Sequence, residues 1–216
     1  MKKKSIIISI VITAILILVI SALYIFNMIP HKKYENKDFD IKSYVSKIDK
    51  DNDGIDDQTD MLKSVREYIA TEPKYKSKYY ATGYPDDGYG VCTDVVAFGM
   101  KGAGYDLKEL VFNDVKSNQD KYNIDTIDKN IDFRRVRNLK VYFDNNAISL
   151  TTDVKDYKQW QGGDIVVFKT HIGVVSDKRN GNGVPFVIHH YGKSQKYYEE
   201  DILEVRNDIV GHYRIS

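Results

Sequence analysis

The stretch Gly162-Gly-Asp-Ile165-Val-Val-Phe168-Lys-Thr-His171-Ile172-Gly-Val-Val-Ser176 marks the point where the chain changes its hydrophobic period. Downstream of the glycine pair, apolar residues come in short β-rich runs bounded by turn residues. Such runs predict strands at 165–168, 172–176, 185–190 and 209–215. Asn180-Gly-Asn-Gly183 has the composition of a hairpin tip. Upstream, the pattern is helical. Val136, Leu139, Tyr142 and Phe143 fit one helix, and Asp106 can cap another that carries Leu107, Leu110, Val111 and Val115. A third starts near Cys92, with Val95, Val96 and Gly99 on one face and Gly102 and Gly104 at its end. The loop at 79–90, with Gly83, Pro85, Gly88 and Gly90, breaks regular structure before it. Helices followed by an antiparallel meander predict an α+β fold.

The whole chain has 216 residues, with 32 Lys+Arg against 31 Asp+Glu and a net charge of +1. That balance argues against a nucleic-acid binder, which would carry a basic excess. The single cysteine excludes an intrachain disulfide and a cysteine-based zinc cluster. Seventeen Tyr and eight Phe supply enough bulk for a core. The near-neutral total conceals three regions: residues 1–33 carry +5, residues 34–60 carry −5, and residues 61–216 carry +1.

From Ser5 to Ile29 no residue is charged. As a helix the run would measure about 37 Å, enough to cross a hydrocarbon core. A cleaved signal peptide is the rival, but its apolar region is usually shorter and ends at a small-residue site. Residues 1–33 are therefore expected to form an uncleaved single-pass anchor. Lys2, Lys3 and Lys4 before the span, with the terminal amine, outweigh Lys32 and Lys33 after it. That asymmetry places the N-terminus inside and the remainder outside the cytoplasm. A lone cysteine in an oxidising compartment is then a candidate for chemistry rather than for structure.

Residues 34–60 are read as an acidic stalk containing a calcium loop. Asp49, Asp51 and Asp53 alternate, Gly54 follows, then Ile55, Asp57 and Asp60. Alternate side chains can converge on one ion, glycine permits the sharp turn, and the Ile55 carbonyl adds an oxygen. Hard oxygen donors suit Ca²⁺. The spacing resembles the calcium loops of dockerins, with the shorter Asp60 where glutamate is usual. The bland alternative is a solvated acidic linker.

The chemistry is expected in residues 61–216. Cys92 stands where a glycine-containing loop enters a helix. Free N–H groups and the helix dipole there favour thiolate and could receive an oxyanion. A thiolate needs a histidine base, and that histidine an orienting partner. His171 opens one strand, and His189 and His190 end the next. Strand alternation sends His189 and His190 to opposite faces, and the 177–184 loop leaves the register open. The same histidines, with Asp94, could instead ligate zinc. The Arg134-Arg135 pair could clamp a substrate carboxylate or pair with Asp132.

The motifs Gly90-Val-Cys92-Thr-Asp94-Val-Val, Asn130-Ile-Asp132-Phe-Arg134-Arg-Val, Gly163-Asp-Ile-Val with His171-Ile-Gly-Val-Val, Ile188-His189 and Gly211-His-Tyr213 resemble the bacterial domain-of-unknown-function family 1287. The likeness covers roughly residues 61–216. That family is similar to the NlpC-type, papain-like cell-wall cysteine peptidases. The resemblance implies Cys92 as nucleophile, His171 as base and His189 as the orienting residue. By offset it also implies Tyr80, with Tyr84 as the alternative, as a tyrosine touching the substrate. The wider superfamily usually has Asp-Cys-Ser-Gly at the nucleophile, where this chain has Val91-Cys92-Thr93-Asp94, so Asp94 is expected to orient the loop. The implied protein is an anchored, monomeric thiol hydrolase of peptidoglycan stem peptides or of protein, needing no catalytic cofactor. An acyl or peptidyl transferase with the same triad and a calcium-dependent wall-binding module are the alternatives.

Overall fold

The computed structural model describes residues 2–216. They divide into two units, one ending at Lys32 and one running from Lys33 to Ser216. The first unit is built on helix α1 (Lys2–Ile25). Its span Lys3–Ile25 has a mean hydropathy of 3.2 and is long and apolar enough to cross a membrane. The terminal amine counted in the charge asymmetry belongs to Met1, outside the described residues.

The second unit starts with a short strand, β1 (Tyr34–Glu35), and a 3-10 turn at Asn36–Phe39. Helix α2 (Asp57–Ala70) follows, opened by Asp56, whose side chain accepts from the Thr59 N–H. Strands β2 (Lys74–Tyr75) and β3 (Tyr89–Gly90) form a small parallel pair that the sequence pattern did not suggest. Then come α3 (Cys92–Gly102), α4 (Leu107–Ser117), the single turn α5 (Gln119–Tyr122) and α6 (Val136–Asn146). Asp106 caps α4 through the Lys108 N–H, as its position predicts. Helices α2 and α3 approach so closely at Gly99 that a Cβ there would stand 2.4 Å from Val65 Cγ2.

The remaining strands are β4 (Ile148–Ser149), β5 (Ile165–Phe168), β6 (Ile172–Arg179), β7 (Pro185–Ile188), β8 (Glu199–Glu200) and β9 (Ile209–Arg214). Among the described residues they form an antiparallel sheet in the order β4-β9-β5-β6-β7-β8, with β1 on the far end of β6. The sheet has the strands expected from the meander, and the fold is α+β. Alternation along β5 separates two cores. Ile165 and Val167 pack under the helices with Val95, Val96, Leu139 and Phe143. Val166 and Phe168 pack on the other face with Trp160, Val187 and Leu203.

Two boundaries differ from the expectation. Strand β6 continues to Arg179, past an irregularity between Val175 and Arg179, and β7 stops at Ile188. Residues 34–60 are not a separate stalk. Tyr34 pairs with Arg179, and Asn36 Oδ1 accepts from the Arg179 guanidinium. The Tyr44 hydroxyl donates to the Ser216 carbonyl at 2.8 Å. These contacts join the segment to the domain because Arg179 is fully buried and takes Asn36 as one of its few acceptors.

Candidate functional site

Helix α3 begins at Cys92 because Val91 is extended and Asp94 closes the first turn, its Oδ2 accepting the Val91 N–H at 2.8 Å. Asp94 is fully buried. Arg134 grips it bidentately, Nε on Oδ1 at 2.6 Å and Nη2 on Oδ2 at 2.8 Å, and gives Nη1 to the Lys78 carbonyl. The fork expected to clamp a substrate carboxylate is therefore engaged inside the protein. Asp94 ties the loop entering α3 to the helix's first turn and, being fully buried, offers no surface to a ligand. Arg135 stays exposed, 3.8 Å from Asp132. Removing one partner of a buried pair such as Asp94–Arg134 typically costs about 3–5 kcal/mol.

The Cys92 thiol is in a tighter setting than a helix end alone implies. Backbone N–H groups of Ile172, Thr93 and Cys92 act on it and favour thiolate, but desolvation outweighs them and pushes the pKa up to about 11. Cys92 remains partly exposed as a residue. The expected depression by the helix N-terminus is overturned here, because burial penalises the charged form by more than three amides recover. The resting state is a neutral thiol.

The Ile172 N–H that reaches the sulfur belongs to the residue after His171, which brings the thiol to the start of β6. His171 Nε2 is 2.8 Å from His189 Nδ1, and His189 Nε2 is 3.0 Å from Glu200 Oε2. A Glu200 carboxylate can only accept, and in that state the His189 proton sits on Nε2, with the Gln195 amide a longer 3.4 Å from the same nitrogen. His189 Nδ1 then accepts from His171 Nε2–H. That leaves His171 Nδ1 as a lone-pair nitrogen, and it has no hydrogen-bond partner among the described residues. Burial holds both imidazoles neutral, lowering His171 to about 2 and His189 to about 3, with the neighbouring His189 and Arg206 respectively adding to the effect. Gln195 fixes the loop around them, donating to the His189 and Tyr197 carbonyls and accepting the Tyr191 N–H.

The choice between His189 and His190 is settled by register. Val174 pairs with Ile188, which sets position 171 opposite 191 and puts 189 on the same face, one diagonal away. His190 faces away, between the rings of Tyr75 and Tyr198. Gly173 makes room for His189, since a Cβ there would stand 3.1 Å from His189 Cβ.

The two tyrosines chosen by offset are turned elsewhere. The Tyr80 hydroxyl donates to Asp87 at 2.7 Å under the Arg134 guanidinium. The Tyr84 hydroxyl donates to Asp106, and its ring packs on Phe98 and Phe133. The tyrosines near the thiol and His171 are Tyr75 and Tyr191. Desolvation and the proximity of Cys92 raise the Tyr75 pKa, and the Tyr191 ring meets His171 edge-on at 5.7 Å. Sequence reasoning missed both, and Glu200 too, because strand β8 is two residues long and carries no hydrophobic period.

In the acidic loop, one carboxylate oxygen from each of Asp49, Asp51 and Asp53 lies within 4.8 Å of the others. Gly54 has φ +93°, and Asp49 accepts the N–H of both Asp53 and Gly54. Burial and then the charges of Asp53 and Asp51 raise the Asp60 pKa, which locates Asp60 near the cluster. Asp57 is turned aside, its carboxylate accepting from the Lys50 N–H and the Tyr105 hydroxyl. The Ile55 N–H donates to Asp53 Oδ1 at 2.8 Å.

Fold and site together define an α+β protein with a thiol at a helix N-terminus, reached by the amide that follows the first histidine of a histidine–histidine–glutamate series. The chain belongs to the family described as a domain of unknown function, DUF1287, which matches residues 62–215. Over 152 residues it is 37% identical to the uncharacterized protein YijF of Escherichia coli (strain K12), a match spanning 66% of this chain and 72% of that one. No solved structure matches the chain.

Proposed function

We propose that this chain is a thiol hydrolase of papain-like, NlpC-type architecture that cleaves an amide bond, with peptidoglycan stem peptides as its substrate class. The observation that carries the reading is the ordered series Glu200, His189, His171, together with the amide of the next residue, Ile172, on the Cys92 sulfur. In this mechanism the substrate carbonyl docks over Cys92. The thiol proton passes to His171 Nδ1 as sulfur attacks carbon. A lone thiolate or a lone imidazolium is penalised by burial at this site, but transfer between neighbours creates opposite charges whose attraction offsets part of that penalty. The developing oxyanion is received by the first-turn N–H of Cys92. His171 then returns its proton to the leaving amine. Water attacks the thioester with His171 as base again and regenerates the thiol.

The anchor reading of α1, with the N-terminus inside and residues 34–216 outside, supplies access to the wall. The reading of Asp49, Asp51, Asp53, Asp60 and the Ile55 carbonyl as the holders of a structural Ca²⁺ rests on oxygen-only donors and on repulsion among clustered carboxylates, which a dication relieves.

The test uses the full chain in detergent, incubated with a synthetic stem peptide, with product mass as readout. Cys92→Ala and His171→Ala should each lower cleavage by a factor on the order of 10³ or more. Cleavage by Cys92→Ala at the wild-type rate would refute the mechanism. The high pKa of Cys92 favours a second reading, a binding module with an inert thiol. That reading requires wild-type protein that holds the peptide and releases no product.

A further inference from the structure

His190 is buried, yet its Nδ1 has no hydrogen-bond partner among the described residues. A buried unpaired imidazole nitrogen is costly and calls for an explanation. The ring cannot turn away, because Tyr75 and Tyr198 meet it edge-on at 5.2 and 5.3 Å. The Tyr198 hydroxyl is itself tied to the Pro73 carbonyl at 2.9 Å. The imidazole lines a cavity of about 570 Å³, within the range of small-ligand sites.

The charge of that cavity is uneven. Lys74, Lys76 and Lys193 stand on its wall against a single acid, Glu72. None of the three lysines has a carboxylate partner among the described residues, and Lys76 rests over the Tyr89 ring. Lys74 opens β2 and Lys76 follows its end, with Tyr75 between them in the same lining. Tyr75 is the shared wall, since it lines the cavity and also feels the charge of Cys92. An anionic group held here would be one side chain away from the thiol. The polar groups on the wall are mainly ammonium groups and one imidazole, framed by aromatic rings. No arginine fork of the kind that grips phosphate lines the cavity.

We propose that the cavity bounded by Lys74, Lys76, Lys193 and His190 is a specificity subsite that takes a free carboxylate of a peptide substrate, across Tyr75 from Cys92. The proposal rests on the hydrolase reading for its peptide. The bound carboxylate accepts from His190 and is neutralised by the lysines, so the orphan nitrogen is satisfied only in the complex.

The experiment uses full-length Cys92→Ala protein in detergent, so that binding is read without turnover. Calorimetry compares an acetylated, C-terminally amidated four-residue peptide containing one glutamate with its glutamine counterpart. The glutamate peptide should bind at least about ten-fold more tightly, the usual order for a hydrogen bond to a charged group. In Lys74→Gln/Lys193→Gln, a double exchange of exposed side chains that leaves the fold intact, that preference should disappear while the glutamine peptide binds as before. The His190 imidazole resonances should move with the glutamate peptide alone. Equal affinity for both peptides, absence of binding, or displacement by inorganic phosphate at matching concentration would overturn the subsite. If wild-type protein cleaves both peptides equally, the hydrolase reading stands and the subsite falls. If the preference is found but nothing is cleaved, the reverse holds.

Discussion

Glu200 Oε2 lies 3.0 Å from His189 Nε2, and as a carboxylate acceptor it sets which nitrogen of His171 is free. A glutamine in its place can donate to His189 Nε2 and so reverse the proton order along the series. Glu200→Gln should lower kcat by about 10²-fold with KM unchanged, and Glu200→Asp should recover part of the loss. A wild-type kcat in Glu200→Gln would show that the proton order is set by something else. Cys92 and His171 were readable in the sequence because a helix start and a strand start are local signals. The pairing of His171 with His189 was readable only as one of two options. Counting from Arg179↔Pro185 would set 171 opposite 193, and the irregularity before Arg179 moves it to 191, within a diagonal of His189. Arg134 was misread because its partner Asp94 lies forty positions away and the pattern of either residue alone says nothing of the other.

At the scale of elements, the acidic loop is the start of α2 as much as a separate motif. Asp56 caps the helix, and Asp57 fastens it to Tyr105 and to the Lys50 N–H. An ion held by Asp49, Asp51, Asp53 and Asp60 would therefore clamp the N-terminus of a core helix. Millimolar Ca²⁺ should raise the melting temperature by several degrees, the shift that follows from about 1–3 kcal/mol of linkage. Asp51→Ala should abolish the shift without changing the melting point in chelator. An unchanged melting point for the wild type in Ca²⁺ would remove the ion from the account. The spacing alone exposed this loop, since carboxylates clustered within one turn are a local property. It did not expose the two-residue strands β2 and β8, which carry Tyr75 and Glu200 to the site. Strands that short have no period to detect, and pairing with a partner distant in sequence creates them.

For the molecule as a whole, three buried neutral histidines make acid the natural denaturant. Desolvation lowers His171, His189 and His190 to about 2, 3 and 4, whereas in the unfolded chain each titrates near 6.5. Below about pH 6.5 the unfolded state binds more protons, so stability falls as pH drops toward the folded values. Between pH 7.5 and 5 the loss should be about 2 kcal/mol per histidine. Urea unfolding followed by circular dichroism measures it, and a His190→Gln variant should show about a third less. A stability that stays flat over that interval would mean the imidazoles are not held neutral. The net charge of +1 likewise has no meaning as a property of the whole molecule. It sums a basic flank around an apolar helix, an acidic segment laced into the domain through Arg179, and a nearly neutral remainder. The sequence by itself determined the apolar helix, the α+β order of elements, the helix start at Cys92 and the strands that the site histidines flank, because each depends on neighbours within a few residues. Only the tertiary structure decided that His189 meets His171, that Glu200 stands behind them, that Arg134 serves Asp94, and that the thiol rests protonated. Register, ion pairing and desolvation are set by residues far apart in the chain, and they exist only once the sheet and helices have closed on one another.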